Sequence, residues 1–181
     1  MVIEKVDGVD VTYDKFQLRY AGHWIGNWGG TRAVDANLLY CAPIVIAVPL
    51  RFDRIACRVS VAGALATKAR MGIYLNKSPV SLAPGALVMD SGEVAVDAVA
   101  QLDVIIDYTA SKGIIWVAFI TNGTPTMYVT THDWELLGRI ALTIDGNQVA
   151  MALTYGPLPN PAPAVAFASY KEISTFLRIA A

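Results

Sequence analysis

From Arg54 to Val96 the chain alternates apolar and polar residues with the two-residue period of extended backbone. In RIACRVSV, Ile55, Cys57, Val59 and Val61 share one parity, and Ala56, Arg58 and Ser60 share the other. That is the pattern of a strand with one face on a core and one in water. Met71, Ile73 and Leu75 repeat it in ARMGIYLN. In QLDVIIDY, Leu102, Val104, Ile106 and Tyr108 point one way while Asp103, Ile105 and Asp107 point the other, which predicts a half-exposed strand. IIWVAFI is apolar on both parities, as expected of a central strand covered on both sides or facing a neighbouring subunit. No amphipathic helix pattern longer than about three turns is present.

Alternation and turn chemistry together predict strands over 44–50, 52–61, 69–76, 86–97, 101–108, 114–121, 126–131, 138–144, 148–154 and 173–179. Asp145-Gly146-Asn147 separates RIALTI from QVAMAL, and an Asp-Gly pair takes the positive φ angles of a tight hairpin, so these two segments are expected to pair antiparallel. Pro84-Gly85 is expected to close the loop after Leu75, with PGALVMDSGEVAV turning back beyond it. Short strands at this spacing indicate an all-β sandwich or barrel. The first 35 residues differ, with a charged start, the aromatic segment YDKFQLRY and a glycine-rich loop around Trp24 and Trp28. They read as an arm for assembly or docking, with the folded domain over 36–181.

Composition sharpens this picture. Of 181 residues 55% are hydrophobic and 16% charged, an apolar balance that places some of the surface at subunit contacts. The formal net charge of −1, with Lys and Arg scattered singly, gives no electrostatic footprint for nucleic acid or anionic lipid. Three uncharged stretches, 36–50, 113–131 and 146–170, are broken by prolines or by Asn122-Gly123-Thr124-Pro125, whereas a spanning helix needs roughly 20 apolar residues without such breaks. No membrane insertion is expected, and MVIEKVDGVD lacks the apolar core of a secretory signal, so synthesis and assembly in the cytosol are expected. Cys41 and Cys57 form no CxxC pair; they read as two buried free thiols, with a bridge between neighbouring strands as the alternative.

Candidate chemistry is sparse. His132-Asp133-Trp134-Glu135 is the densest polar cluster, but on a strand His132 and Trp134 face away from Asp133 and Glu135, so the four do not converge on one substrate atom. GxSxG, HExxH and GxxxxGK[ST] are absent, and Gly26, Gly29 and Gly30 have no strand before them and no helix with a lysine after them. Asp90 with Glu93, and Asp103 with Asp107, read as carboxylates on solvent-facing strand positions. No catalytic residue, metal ligand or cofactor is expected. Aromatic residues in or beside loops remain: Trp24, Trp28, Tyr40, Tyr128, Trp134 and Tyr155. Assembly contacts are assigned to Tyr13, Phe16, Tyr20, Trp24 and Trp28, because tryptophan and tyrosine favour well-covered interface sites. Tyr128, His132 and Trp134 make the candidate ligand loop.

The succession LLYCAPIVIAVPLRFDRIACRVSVAG, ARMGIYLN, PGALVMDSGEV and GIIWVAFITNGTPT, with a closing FLRIA, resembles a module of tailed-bacteriophage structural proteins, where it often forms the carboxy-terminal part of tail fibres or other virion surface proteins. The matching residues include Pro43, Pro49, Asp53, Arg54, Ile55, Arg70, Gly72, Ile73, Tyr74, Pro84, Gly85, Leu87, Val88, Asp90, Gly92, Val94, Gly113, Trp116 and Ala118, and the likeness runs from about Leu18 to the end. It implies an antiparallel β-sandwich of jelly-roll type, a homo-oligomer, by analogy a trimer, and a place in the virion beside capsid or tail proteins. The short arm in place of a fibre stem suits a small capsid or tail decoration protein as well as a fibre tip. A non-enzymatic structural role is thus the expected function. The alternative is a receptor-binding head that recognises a host surface glycan.

Overall fold

The computed structural model describes residues 2–6, 9–13, 20–21, 28–46, 48–78, 81–130, 149–164, 172–173 and 175–180, with the backbone alone described before Gly30 and at Ser81, Thr130, Glu172 and Phe176. The described residues are all-β, in fourteen strands: β1 (Val2–Val6), β2 (Val9–Tyr13), β3 (Tyr20–Ala21), β4 (Trp28–Ala33), β5 (Leu38–Ile46), β6 (Leu50–Val61), β7 (Lys68–Ser78), β8 (Ser81–Ala95), β9 (Gln101–Ala110), β10 (Gly113–Thr121), β11 (Thr126–Thr130), β12 (Val149–Ala152), β13 (Glu172–Ile173) and β14 (Thr175–Ile179). Every pairing between them is antiparallel.

Two sheets make the body. One has the order β12-β5-β10-β7-β8; the other runs β13-β11-β6-β14-β3, with β4 on β11 and β9 on β6. β1 and β2 form a separate hairpin, whereas β3 and β4 add to the second sheet although they lie in the first 35 residues. The main core lies between the sheets. Tyr40, Ala42, Ile44, Met71, Ile73, Ile115, Val117 and Phe119 come from one, and Phe52, Ile55, Cys57, Val59 and Leu177 from the other.

The double-sided apolarity of IIWVAFI has its explanation here. β10 sits in the middle of its sheet, and its odd residues join the intersheet core while Trp116, Ala118 and Ile120 join a second buried cluster on the outer face with Leu39, Cys41, Tyr74, Val149, Met151 and Leu158. The cover is the chain's own proline-rich segment 153–164, not a neighbouring subunit. The half-exposed strand at β9 is also as expected, with Ile106 buried and Ile105 74% exposed.

Several expectations need correction. The strand expected at 44–50 is β5, ending at Ile46, and 50–61 is one continuous β6. Pro43 is tolerated in β5 because β12 pairs only as far as Cys41, so no described neighbour on that side needs its missing N–H. Pro84-Gly85 does not close a loop: both residues are buried within β8, Pro84 stands opposite Asn76, and Ser78 pairs with Ser81. Nor does PGALVMDSGEVAV turn back, since β8 runs through it as one strand with four register shifts against β7. A proline is tolerated there because Pro84 sits between two register shifts of the β7–β8 ladder, on the last described strand of its sheet. Val61, placed inward by parity, is 56% exposed where β6 leaves the core. The strand expected at 138–144 and the Asp145-Gly146-Asn147 turn lie outside the described residues.

Candidate functional site

The outer face of the first sheet carries the most constructed region. Segment 153–164 crosses it as a strap, tied by main-chain and side-chain bonds along its length. Leu153 N–H donates to Asn37 O at 3.0 Å and Tyr155 N–H to Asn37 Oδ1 at 2.8 Å. Leu158 N–H donates to Asp90 Oδ2 at 3.0 Å, and the Tyr74 hydroxyl to Pro159 O at 3.1 Å. Leu87 N–H donates to Asn160 Oδ1 at 3.1 Å and Ala162 N–H to Gly85 O at 2.8 Å. Prolines suit a segment of this kind, because they stiffen an extended chain and the carbonyls they leave are free to accept.

Beneath the strap, Leu158 packs onto Gly72, where an added methyl would overlap Leu158 Cδ1 and stand 2.8 Å from Met89 O. Trp116 is fully buried and its Nε1–H donates to Asn76 Oδ1 at 3.0 Å, so the indole is locked at both its apolar body and its polar edge. Asp90 is the polar hub of this region. It accepts from Arg70 at 3.0 Å, from Leu158 N–H and from Gly92 N–H at 2.9 Å, with a side chain only 21% exposed. The solvent-facing reading of Asp90 is therefore corrected: a carboxylate with three donors on it is an anchor of the fold. Glu93 pairs with Lys68 at 2.6 Å, and this bond holds its carboxyl below the ordinary range. Tyr155 lies near Glu93, and burial pushes its phenol up.

The outer face of the second sheet carries paired charges beside the exposed Ile105. Arg178 forks onto Asp53 with both bonds at 2.7 Å, and Arg51 meets Asp107 at 2.8 Å. These arginines lower the pKa of Asp53 and Asp107, so both carboxylates are ionised at neutral pH and held as acceptors. Asp103 accepts from Gln101 Nε2 at 3.2 Å. Tyr128, on β11, is half-buried with the Arg58 guanidinium 4.5 Å from its ring centroid. That cation occupies one face of the ring, leaving at most the other for a sugar to stack on.

Of the other sequence-singled residues, Phe16, Trp24, His132 and Trp134 lie outside the described residues. Tyr13, Tyr20 and Trp28 are placed in β2, β3 and β4 by their backbones. Tyr40 is fully buried in β5, its hydroxyl accepting from Asp35 N–H at 3.0 Å, and desolvation pushes its pKa up to about 12. Cys41 and Cys57 are free and buried as expected, in separate clusters on the two sides of the first sheet. Among the described residues no set of three or more His, Cys, Asp or Glu side chains is grouped to hold a metal ion. No described helix is long and apolar enough to cross a membrane.

The strap system escaped the sequence reading because its parts are far apart in the chain: Asn37, Gly72, Tyr74, Asp90 and Leu158 come from two strands and two loops. The four prolines from Pro157 to Pro163 were the available signal, and they read only as helix breakers. No protein-family model matches the chain, and no curated protein is similar to it.

Proposed function

We propose that this chain is a non-enzymatic structural protein of a bacteriophage virion, a jelly-roll-type sandwich that decorates a capsid or tail, assembles as a homo-oligomer and presents its loops outward. One observation carries the reading. The residues that give the likeness to the phage module are spent on architecture: Gly72 receives Leu158, Tyr74 bonds Pro159, Asp90 bonds Leu158 N–H and Arg70, and Trp116 is sealed under the strap. A segment several of whose distinctive residues serve to cover a sheet is suited to lasting in a particle, since a sheet sealed on both faces has little surface left to open. The low net charge and apolar composition also favour association over repulsion.

The test is the composition of purified particles from a phage genome that encodes the chain, compared with the same genome carrying an early stop codon in it. The protein should be present in the particles at a fixed copy number and lost with the stop codon. Its presence in the lysate together with its absence from purified particles would overturn the reading. Normal incorporation of a Tyr128→Ala variant into particles that no longer adsorb to cells would replace decoration by receptor binding.

A further inference from the structure

We propose that Asn122 is a site of spontaneous deamidation, its carboxamide carbon attacked by the backbone nitrogen of Gly123, and that the fold withholds this reaction until the turn between β10 and β11 opens.

Asn122-Gly123 is the one Asn-Gly pair in the sequence. Glycine has no side chain beside its backbone nitrogen, so of all residues it least obstructs attack by that nitrogen on a preceding asparagine. The pair sits in the turn that carries the chain from β10, in the first sheet, to β11, in the second. Asn122 is exposed, so water reaches the side chain.

Packing explains why so labile a pair stands there. The ladder between β10 and β7 ends with Thr121 opposite Ala69, and Asn122 extends it with the help of its side chain. Its N–H donates to Lys68 O at 3.1 Å, and its Oδ1 accepts from Lys68 N–H at 2.8 Å. The carboxamide oxygen thus does the work of a strand carbonyl, which asparagine can supply and an apolar residue cannot. Gly123 is fixed by room. Its φ is not left-handed, but a methyl on it would stand 2.7 Å from Thr67 Cγ2, and Thr67 is buried.

The same contacts hold the two reacting groups to different partners. Attack requires the Asn122 carboxamide to rotate onto the Gly123 nitrogen and stay there in reacting geometry. In the fold Lys68 of β7 holds the carboxamide oxygen, whereas Gly123 N–H donates to Thr121 Oγ1 at 3.2 Å. Thr121 is fully buried, its hydroxyl donates to Lys68 O at 2.9 Å, and its carbonyl accepts from Asn37 N–H at 2.9 Å, so the acceptor of the Gly123 bond is itself fixed.

Opening of the turn releases both groups. The Gly123 nitrogen then bonds to Asn122 Cγ, the Cγ–Nδ2 bond breaks, and the Gly123 amide proton leaves with Nδ2 as ammonia. Water opens the resulting cyclic imide at either carbonyl. Opening at Cγ gives aspartate, which keeps an oxygen for Lys68 N–H. Opening at the main-chain carbonyl gives isoaspartate, which adds a carbon to the backbone beside Gly123, where Thr67 leaves no room. A single excursion can therefore leave a chain that no longer closes this link between the sheets.

The test incubates the purified full chain at mildly alkaline pH, in buffer and in urea sufficient to unfold it. The peptide that contains Asn122 is followed by mass spectrometry, with a synthetic Ile-Thr-Asn-Gly-Thr-Pro peptide as reference. In urea Asn122 should convert as fast as the reference; in buffer it should convert more than about tenfold more slowly, because two hydrogen bonds must open first. Thr121→Val keeps the buried shape but removes the acceptor for Gly123 N–H, so it should convert faster than wild type in buffer and equally in urea. Circular dichroism checks that this variant is folded in buffer, and if it is not, the wild-type comparison decides alone. Chains returned from urea with isoaspartate should unfold at lower urea than those with aspartate. Equal wild-type rates in buffer and urea, a folded Thr121→Val that converts no faster than wild type in buffer, or isoaspartate chains as stable as aspartate chains would each overturn the proposal. The outcome does not depend on whether the chain belongs to a virion.

Discussion

Replacing Gly72 by alanine isolates the strap. The added methyl meets two neighbours of unequal hardness: Leu158 Cδ1, the end of a side chain, and Met89 O, a backbone atom at 2.8 Å. Overpacking of this kind costs about 1–3 kcal/mol, and the upper half of that range applies because the carbonyl belongs to the bulged β7–β8 ladder and cannot swing away. Leu158→Ala alone removes a side chain only 5% exposed, for a cost of about 2–3 kcal/mol, the low end for buried leucine because the strap can settle into part of the void. If the two changes were independent the double variant would lose the sum, about 4–6 kcal/mol. It should instead lose only about 2–4 kcal/mol, since the new methyl fills space that Leu158 vacates and only the Met89 clash persists. The assay is urea unfolding of the four proteins, followed by fluorescence and by circular dichroism. For a domain of this size each kcal/mol should also lower Tm by about 2–4 °C. Additivity of the two changes within about 0.5 kcal/mol would refute the packing of Leu158 on Gly72 and with it the strap as a load on the sheet.

Two further outcomes follow from the ionisable groups. Asp53 has its pKa lowered by the Arg178 fork, so the unfolded chain takes up its proton first as pH falls; the stability from this pair is present above the ordinary aspartate range near pH 4 and lost below it. Acid unfolding of Asp53→Asn should therefore show a shallower decline with falling pH than wild type, and an identical slope would remove the pair from the account. Burial raises both thiols, Cys57 to about 12, so they stay protonated in the fold; their contribution is intact below about pH 8.5, where an unfolded thiol titrates, and diminishes as pH rises beyond it. An aromatic disulfide reagent at pH 8 should label neither cysteine until denaturant is added, and rapid native labelling would contradict their burial.

The parts of the fold that could be read from sequence are those decided by local parity. β7, β9 and β10 announce themselves because their neighbours on both sides are regular strands and each residue's face follows from its position. β5 and β8 begin earlier than the strands expected at 44–50 and 86–97, because in each a proline sits inside the strand and the usual rule reads it as a break. The rule fails where no described strand stands beside the proline's N side, at Pro43 beyond β12, and where the ladder shifts register, at Pro84, and both depend on neighbours elsewhere in the chain. Asp90 was misplaced for a related reason. Its alternation marks it as outward, but outward on that face means under the strap, where Leu158 N–H and Arg70 claim its oxygens. Tyr40 was placed beside a loop because β5 was expected to begin later than Leu38.

The irregular pairing of β8 has a consequence for life at high concentration. A long outermost strand with regular spacing is a template on which another chain's backbone can add, and crowded identical copies make that hazard acute. β8 departs from regular spacing four times against its neighbour, includes a residue with no N–H to offer, and has Leu87 N–H and Gly85 O already taken by the strap, so it presents no continuous row of donors. Among the described residues β9 pairs only with β6, and its exposed Asp103 would meet its own like charge if two copies paired there in antiparallel register about it. Sideways fusion into ribbons is thus discouraged at both strands, and many copies can be packed close together while each sheet keeps its own strand count.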